Sequence, residues 1–509
     1  MYSHVYGADV FGMESRVIRI EADVSDGLPV FDMVGYLASA VKEARERVRI
    51  AVRNMGIRFP AKRITINLSP ANLRKEGTSF DLPIAISLLN AFGHLSDDIT
   101  RDTMFIGELG LDGAVRSVRG VLAMILQGRK QGIRRFLVPA DNAAEGGVLE
   151  DIQVYGVRSL NEAMGFLRGE QKLVPLHFSF DELPESLADE PDFSEICGNA
   201  GLKRAAEIAV GGRHNLLMIG PPGSGKTMLA RRIPGIMPVM DLEESLDVTR
   251  LYSICGILPQ DVPVVTRRPF RAPHHTVTAT ALTGGGRIPM PGEITLASKG
   301  VLFLDELPEF SRNSLEVLRQ PLEEHKVTVS RVGHSEEYPS DCIFVAAMNP
   351  CHCGYYPDRN RCHCTVGEIH RYLGKVSEPI LDRLDICVET GAPEFHLYEE
   401  EGETSRQIRQ RVQRTVDIQR KRYQDEPFSY NGELPERALG RYCRLNKSEE
   451  EFLEEFFQAE KCSSRRISRI LKVARTIADM EESEQIREQH IAEAVSLRSI
   501  DRKYWGAEL

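Results

Sequence analysis

A glycine-rich segment between an apolar run and a helix-forming run constrains the fold of this chain most strongly. Residues 220–227 read GPPGSGKT, with the apolar run LLMI before them and MLARRI after them. A strand, a glycine-rich loop and a helix in this order surround nucleotide phosphates with backbone N–H groups. A glycine-rich turn without a ligand would not require that order. The predicted nucleotide-binding residues are Gly220, Pro221, Pro222, Gly223, Ser224, Gly225, Lys226 and Thr227.

A second segment, GVLFLDELPEF, supplies the carboxylates that such a loop needs for catalysis. It lies about 80 residues further along the chain, where four apolar residues end in Asp305 and Glu306. Lys226 would reach the β- and γ-phosphates, and Thr227 would bind Mg²⁺. Asp305 would hold the water shell of the Mg²⁺, and Glu306 would orient and polarise the attacking water. The two segments together predict a nucleoside triphosphatase with ATP and Mg²⁺ as cofactors.

Length and composition indicate several domains in one chain. The 509 residues are 42% hydrophobic and 27% charged, which is ordinary for globular domains. No apolar run is long enough to span a membrane and the N-terminus lacks a secretory pattern, so we expect a cytoplasmic protein with reduced thiols. The net charge of −10 provides no basic footprint for nucleic acid, although a ring-shaped motor can confine basic residues to its channel.

Periodicity and proline spacing divide the chain into four segments. Residues 1–170 alternate strand-like and helical runs, and residues 171–195 are acidic and interrupted by prolines, as in a linker. Residues 196–390 alternate strands and helices as in a parallel-sheet α/β domain. Residues 391–509 are almost wholly helical.

The central motifs resemble those of the AAA+ superfamily. GPPGSGKT, VLFLDEL, AAMNP and EPILDRLDI follow one another in that family's order. The resemblance implies that Asn349 is the sensor-1 residue that helps to position water, and that Arg383 is an arginine finger for a neighbouring subunit's γ-phosphate. It also implies that Arg465 is sensor 2, although Arg466 and Arg469 compete for that role and a surface ion pair is the alternative for Arg383 and Arg465. A finger acting across subunits implies a homo-oligomer, usually a hexameric ring.

Two basic segments indicate the partner. The first, RRPFRAPHHTVTATALTGGGRIPMPGEITLASKG, lies between the phosphate loop and VLFLDEL and has no acidic residue before Glu293. It resembles the helix-2 insertion of magnesium-chelatase-like and minichromosome-maintenance-type proteins. Its basic and histidine residues are Arg267, Arg268, Arg271, His274, His275 and Arg287. The second is a predicted hairpin that carries Lys326, Arg331 and His334 near its tip. Side chains without a counter-charge favour phosphate contacts and hence DNA in the channel of a ring, and the alternative is a pair of solvated loops.

The N-terminal third resembles the proteolytic domain of Lon and the related domain of a bacterial recombination protein. The segments that carry the resemblance are INLSPANLRKEGTSFDLPIAISLL and GELGLDGAVRSVRGVLAMILQGRKQGIRRFLVPADNAAE. The Lon nucleophile maps to Ser79, but its lysine partner maps to Leu122. A serine without a base is not activated, so we expect a non-catalytic scaffold or a collar that faces DNA.

The whole chain resembles the ComM/YifB family of magnesium-chelatase-like ATPases. This implies a multidomain α/β fold with a Lon-protease-like α+β domain in 1–170, an AAA+ core with a parallel sheet in 196–390, and a helical lid in 391–509. The family includes a competence protein that is a branch-migrating helicase, so the implied function is an ATP-driven ring motor on DNA in recombination or natural transformation. The alternatives are a motor that inserts Mg²⁺ into a porphyrin and a protein remodeller.

A cysteine cluster follows the sensor-1 strand, as it does in that family. The segment NPCHCGYYPDRNRCHC contains Cys351, Cys353, Cys362 and Cys364. Four thiolates suit tetrahedral Zn²⁺, although the C-x-C spacing is tighter than the usual C-x₂-C. His352 or His363 could replace a thiolate, and free thiols or a redox pair are the other interpretations. A zinc clamp here would fix the loop between sensor 1 and the helix that leads to Arg383.

Overall fold

We describe the protein from a computed structural model, which covers residues 1–183, 191–259, 262–286, 289–331, 334–391, 402–460, 464–498 and 500–505. The chain forms two compact units. Unit 1 contains Met1–Pro184 and Asp241–Thr266, and unit 2 contains Glu185–Met240 and Arg267–Leu509. Residues 241–266 therefore lie inside the segment 196–390 along the chain but fold with the N-terminal residues, an excursion that consecutive sequence segments do not capture.

The strands are numbered in chain order. They are β1 Tyr2–Phe11, β2 Glu14–Ser25, β3 Val30–Val34, β4 Arg63–Ser69, β5 Thr103–Phe105, β6 Glu108–Leu109, β7 Val115–Arg116, β8 Arg135–Pro139, β9 Gln153–Val157, β10 Leu216–Ile219, β11 Phe270–Arg271, β12 Gly284–Gly285, β13 Met290–Pro291, β14 Val301–Leu304, β15 Lys326–Arg331, β16 His334–Pro339, β17 Ile343–Met348 and β18 Ile386–Glu389.

The α-helices are numbered in the same way. They are α1 Ser39–Asn54, α2 Asp81–Ala91, α3 Asp97–Thr100, α4 Val121–Lys130, α5 Leu160–Leu167, α6 Ala200–Gly212, α7 Lys226–Ile236, α8 Leu242–Cys255, α9 Ala279–Thr283, α10 Glu293–Leu296, α11 Arg312–Glu316, α12 Pro321–Glu324, α13 Val366–Leu373, α14 Glu378–Leu381, α15 Ser405–Arg422, α16 Glu436–Tyr442, α17 Lys447–Glu460, α18 Ser464–Met480, α19 Glu488–Ser496 and α20 Ile500–Trp505.

Unit 1 is built on a seven-stranded mixed sheet with the order β3-β4-β2-β1-β5-β8-β9. Helix α2 is buried along its whole length, and α1 buries one face through alanines and valines at helical spacing. Helix α8 packs against α4. The buried carboxylate of Glu145 joins these two helices, because it accepts the N–H of Leu122 in the first turn of α4 and the hydroxyl of Ser253 on α8. This polar link helps to explain why residues 241–266 belong to unit 1.

Unit 2 contains a five-stranded sheet with the order β11-β14-β17-β10-β18, and each adjacent pair is parallel. Every residue of β10, β14 and β17 is buried, as expected for strands covered on both faces. Helices α15 and α18 pack against α6 in the same core. The predicted parallel α/β architecture is confirmed, whereas a lid function for the C-terminal helices stays a prediction.

Unit 2 also contains two antiparallel hairpins. Strands β15 and β16 form an antiparallel ladder, as the sequence predicts for the hairpin before sensor 1. Strands β12 and β13 form a shorter ladder after α9, where Gly284 and Gly285 adopt positive φ angles of 99° and 146°. In the part of the chain that is described, no helix is both long and apolar enough to cross a bilayer.

Candidate nucleotide site and cysteine cluster

The predicted catalytic residues meet because three strand ends meet. In the sheet of unit 2, β14 and β10 flank β17, and all three strands run in parallel. The phosphate loop follows β10, Asp305 follows β14, and Asn349 follows β17. The carboxyl edge of a parallel sheet is the usual place for a ligand, and here it carries a loop, a carboxylate and an amide side by side.

The phosphate loop has a backbone that favours glycine at three positions. Gly223 and Gly225 have φ angles of 77° and 85°, in the left-handed region. Gly220 has a different reason, because a Cβ atom there would lie 1.8 Å from the side-chain oxygen of Thr390. The hydroxyls of Thr390 and Ser224 also share a hydrogen bond of 2.6 Å. The loop is therefore held closely against the residue that follows β18.

Lys226 lies under this loop with its ammonium group surrounded by oxygens. Its Nζ donates to the carbonyls of Gly220 and Pro221 at 2.7 and 2.8 Å, and it lies 3.4 Å from Oδ1 of Asn349. Burial lowers the pKa of Lys226 to about 8, against the opposing effect of the Asp305 carboxylate. The lysine is thus a desolvated cation at the sheet edge, beside the proposed sensor-1 amide.

Thr227 and Asp305 form the candidate Mg²⁺ position. Thr227 Oγ1 donates to Oδ2 of Asp305 at 2.6 Å, so the two side chains converge from different elements. A hydroxyl and a carboxylate oxygen are hard ligands, the kind that Mg²⁺ prefers. The geometry brings the two predicted ligands together, and Mg²⁺ binding by them stays a prediction.

Glu306 begins the turn after β14 with an unusual backbone. Its φ angle is 53°, and its N–H donates to Oδ1 of Asp305 at 2.9 Å. Its side chain is 58% exposed, and Oε2 lies 3.5 Å from Nδ1 of His275. A carboxylate that is open to solvent beside the phosphate loop can reach a water molecule, as the proposed catalytic role requires.

His275 is a site residue whose proximity to Glu306 the sequence analysis did not predict. Strand β11 pairs with β14 so that Arg271 lies opposite Leu302. His275 comes four residues after Arg271, and Glu306 comes four residues after Leu302, so the register carries both to the same point. The ring of His275 packs on that of His274, with centroids 4.0 Å apart. The proximity of His275 to Glu306 could be predicted from the sequence only if the pairing of β11 with β14 were known.

The four cysteines of the segment after sensor 1 form a compact group. Their sulfur atoms all lie within 4.8 Å of one another. Sγ of Cys351 is 3.3 Å from that of Cys353 and 3.7 Å from that of Cys362. Cys351 and Cys362 are buried, and Cys353 and Cys364 are half-buried. This thiolate set fits a tetrahedral Zn²⁺ ion.

The neighbouring histidines lie outside that group. Among the described residues, the candidate ligands that cluster here are the four cysteines. His352 and His363 are both exposed, and the ring of His352 packs beside Tyr372 with centroids 5.7 Å apart. The structure therefore favours four thiolates over a mixed set.

The cysteine segment contacts the phosphate loop directly. Gly354 has a φ angle of 84°, and a Cβ atom there would lie 2.6 Å from Cδ of Pro222. Such a short separation leaves no room for a side chain. The turn that follows Cys353 therefore packs against the loop that is proposed to hold the phosphates.

Arg383 is engaged by its own chain. Its guanidinium donates to the carbonyls of Arg319 and Pro379 at 2.9 and 2.7 Å, and it also pairs with Glu323. Its side chain is only 13% exposed. A role on a neighbouring subunit stays a prediction, and it would require Arg383 to leave at least part of this arrangement.

The three candidates for sensor 2 differ in their surroundings. Arg465 is 63% exposed, with NH1 3.9 Å from a carboxylate oxygen of Asp382. Arg469 donates to Asp385 at 2.9 Å, and Arg466 lies 3.4 Å from the carbonyl of Arg498. Arg465 is the most available of the three, and it lies beside the residue that precedes Arg383.

The basic insertion is less free than its sequence suggested. Arg271 forms a two-point ion pair with Glu293 at 2.7 and 2.9 Å, and Arg268 donates to the carbonyls of Pro238 and Lys299. The premise that these side chains lack a counter-charge is therefore wrong for Arg271, because the acid that ends the basic run folds back onto it. Arg287 and the side chains of Arg331 and His334 lie outside the described residues, and Lys326 pairs with Glu337 at 3.2 Å.

In unit 1 the serine that matches the Lon nucleophile is buried, and its hydroxyl bonds to the backbone. Ser79 is 5% exposed and donates to the carbonyl of Ala8 at 3.0 Å. Leu122, which replaces the lysine partner, is fully buried. These contacts agree with the expected absence of peptidase chemistry, which stays a prediction.

Comparison with known proteins places these features in one family. The family model described as "Magnesium chelatase, subunit ChlI" matches residues 192–397, "Subunit ChlI of Mg-chelatase" matches residues 20–142, and "Magnesium chelatase, subunit ChlI C-terminal" matches residues 402–498.

Similar proteins cover the chain almost completely. The competence protein ComM of Haemophilus influenzae is 40% identical over 508 residues, which are 98% of this chain and 97% of that protein. The uncharacterized protein YifB of Escherichia coli is 41% identical over 509 residues, with the same coverage of both chains. The DNA repair protein RadA of Listeria monocytogenes is 35% identical over 159 residues, which are 31% of this chain and 34% of that protein.

Proposed function

This chain belongs to the ComM/YifB family of magnesium-chelatase-like AAA+ ATPases, and on that premise we propose that it is a ring motor that hydrolyses ATP to move on DNA. Helicase or branch-migration activity in recombination or natural transformation is the form of movement proposed. The observation that supports the chemical step most strongly is the convergence of Lys226, Thr227 and Asp305 at one sheet edge.

The proposed step divides the work among residues of three strand ends. Lys226 binds the β- and γ-phosphates as a partly desolvated cation, and Thr227 with Asp305 holds Mg²⁺. Glu306 accepts a proton from the attacking water while Asn349 orients that water. When bound, Mg²⁺ neutralises charge that develops on the transferred phosphoryl group.

Support for DNA as the partner comes from the relatives. A full-length relative is described as a competence protein, and a relative of part of the chain is described as a DNA repair protein. Unlike the ATPase chemistry, this part of the proposal does not depend on the geometry of the phosphate loop. It therefore needs its own experiment.

The test measures ATP turnover by the purified protein with three candidate effectors: DNA, protoporphyrin with Mg²⁺, and an unfolded protein. We expect DNA to raise turnover, and the Lys226→Ala variant to show no turnover with any of them. Stimulation by protoporphyrin alone would identify a chelatase motor instead, and stimulation by unfolded protein alone would identify a remodeller. The family description favours the chelatase reading as the second candidate.

We also propose that Cys351, Cys353, Cys362 and Cys364 hold one Zn²⁺ ion. The support is the proximity of four sulfur atoms in a segment where two of the cysteines are buried. The ion would tie the two ends of the segment together. Because Gly354 packs on Pro222, such a tie would also steady one side of the phosphate loop.

A further inference from the structure

The tip of the cysteine segment exposes a basic and aromatic surface, which we call the knuckle and define as residues Tyr355–Arg361. Pro357, Asp358, Arg359, Asn360 and Arg361 are all exposed. The four cysteines lie at the base of the knuckle, before and after it in the chain. The loop thus begins and ends at the cysteine group, which holds its two ends close together.

Two arginines of the knuckle lie over two tyrosine rings. Cζ of Arg361 is 4.0 Å from the ring centroid of Tyr355, and Cζ of Arg359 is 5.2 Å from that of Tyr356. The ring of Tyr356 also makes an edge-to-face contact with that of Tyr504 in α20, with centroids 6.1 Å apart. Stacking on an aromatic ring holds a guanidinium in place while its N–H groups stay available to an acceptor.

These arginines contrast with those of the basic insertion. Within the described residues, neither Arg359 nor Arg361 forms an ion pair with a carboxylate, whereas Arg271 is bound to Glu293. The one acid of the knuckle, Asp358, accepts the N–H of Asn360 at 3.0 Å and so shapes the turn. Arg359 and Arg361 therefore keep N–H groups that can meet a phosphate.

We propose that the knuckle is a nucleic-acid contact, in which Arg359 and Arg361, each held over a tyrosine ring, bind backbone phosphates. Guanidinium groups and aromatic rings are the side chains that hold single strands. A subunit interface is a poorer match, because the exposed tip carries no large apolar side chain to form a dry centre. The inference rests on the proposed action on DNA and specifies one of its contact points.

The knuckle is also connected to the nucleotide site. The turn at Gly354, immediately before Tyr355, packs on Pro222 of the phosphate loop. A strand bound to the knuckle therefore contacts a segment that touches the phosphate loop. DNA bound there raises ATP turnover through this contact.

The test is the double variant Arg359→Gln and Arg361→Gln in the full-length protein, with binding to fluorescent single-stranded and duplex DNA measured over a range of salt concentrations. We expect affinity to fall about tenfold and the slope of log K against log salt to become shallower by one to two units, because about two phosphate contacts are lost. DNA-stimulated turnover falls with it, and turnover without DNA stays at the parental level.

The matched control is Arg437→Gln with Arg444→Gln, which removes two exposed arginines elsewhere in unit 2 and leaves DNA binding unchanged. Parental affinity and salt slope in the knuckle variant would overturn the inference while leaving the proposed function in place. If the knuckle variant lost self-association, and its DNA binding fell only as far as that loss explains, the knuckle would be assigned to a subunit contact. A parent protein that binds no DNA would instead refute the proposed function itself.

Discussion

Lys226 and Glu306 occupy different environments, and this difference separates their proposed roles. Lys226 is buried among backbone carbonyls, where its charge is poorly solvated. The side chain of Glu306 is exposed, and its Oε2 lies 3.5 Å from Nδ1 of His275. Phosphate binding and water activation should therefore respond separately to substitution.

Glu306→Gln is expected to keep ATP bound but to lower turnover about a hundredfold or more, because the amide cannot accept the proton of the attacking water. Lys226→Ala is expected to lose ATP affinity instead. Equilibrium binding of a fluorescent ATP analogue and steady-state phosphate release measure the two effects. Parental turnover in the Glu306→Gln variant would remove Glu306 from the mechanism.

His275→Ala is expected to reduce kcat about fivefold with little change in KM, because the imidazole lies at the Glu306 carboxylate and not at the lysine. His275→Gln, which keeps a hydrogen-bond donor, should recover part of the loss. His274→Ala is the matched control, because Nδ1 of His274 hydrogen-bonds with the hydroxyl of Thr276 at 3.0 Å, whereas His275 faces Glu306. A change in KM alone would show that His275 affects nucleotide binding.

At the scale of elements, the segment between β17 and α13 links the sensor-1 strand to the phosphate loop. It begins at Asn349, its first cysteine comes two residues later, and it contacts Pro222 through Gly354. Its cysteines lie close enough to share one ion. Changes in this segment should therefore reach the nucleotide site without altering a proposed catalytic residue.

Cys351→Ser combined with Cys364→Ser is expected to abolish zinc, which elemental analysis should find at about one equivalent per parental chain. ATP affinity should change less than ring assembly or coupling, because Lys226 is not altered. The His352→Ala and His363→Ala variants should retain the metal, since both side chains lie outside the sulfur group. Zinc lost from the histidine variants but kept by the cysteine variant would refute the ligand set.

Gly354→Ala is expected to weaken ATP binding about fivefold and to destabilise the fold by about 1–2 kcal/mol, the usual cost of a non-glycine residue in the left-handed region. The new methyl would also collide with Pro222. Gly367→Ala is the matched control, because its added Cβ meets no atom within 4 Å. Isothermal titration with a non-hydrolysed ATP analogue and thermal denaturation measure both effects. Equal results for the two alanine variants would dismiss the contact with the phosphate loop.

At the scale of the whole molecule, the proposed ring requires that one subunit complete the site of the next. Arg383 is the residue predicted to do so, yet its own chain binds it through Glu323 and two carbonyls. Assembly would therefore have to exchange some of these intramolecular contacts for a contact with the neighbour's nucleotide. The desolvation of a guanidinium makes that exchange favourable only if the phosphate replaces the lost partners.

Mixing Arg383→Ala subunits with Lys226→Ala subunits is expected to restore part of the ATPase activity that each variant lacks alone. In a mixed ring, some sites combine an intact Lys226 with an intact Arg383 from the neighbour. Turnover measured across a series of mixing ratios, with sedimentation to confirm co-assembly, tests this expectation. Co-assembled mixtures that stay as inactive as either parent would confine Arg383 to its own subunit.

The sequence by itself determined the features that depend on local order. The phosphate loop could be identified because strand, glycine-rich turn and helix are consecutive. The parallel sheet was predicted from the alternation of strands and helices over residues 196–390. The β15–β16 hairpin before sensor 1 was likewise predicted. The family resemblance rested on the order of such local motifs, and the full-length matches confirm it.

Only the tertiary structure decided which distant residues meet. The pairing of Arg271 with Glu293, of His275 with Glu306, and of Gly354 with Pro222 each joins elements whose register or packing no local pattern specifies. The same reason explains the placement of residues 241–266 in unit 1, since a helix joins the core that buries its apolar face. Charge availability is also a tertiary property: a guanidinium that looks free in the sequence is satisfied once folding brings an acceptor within reach.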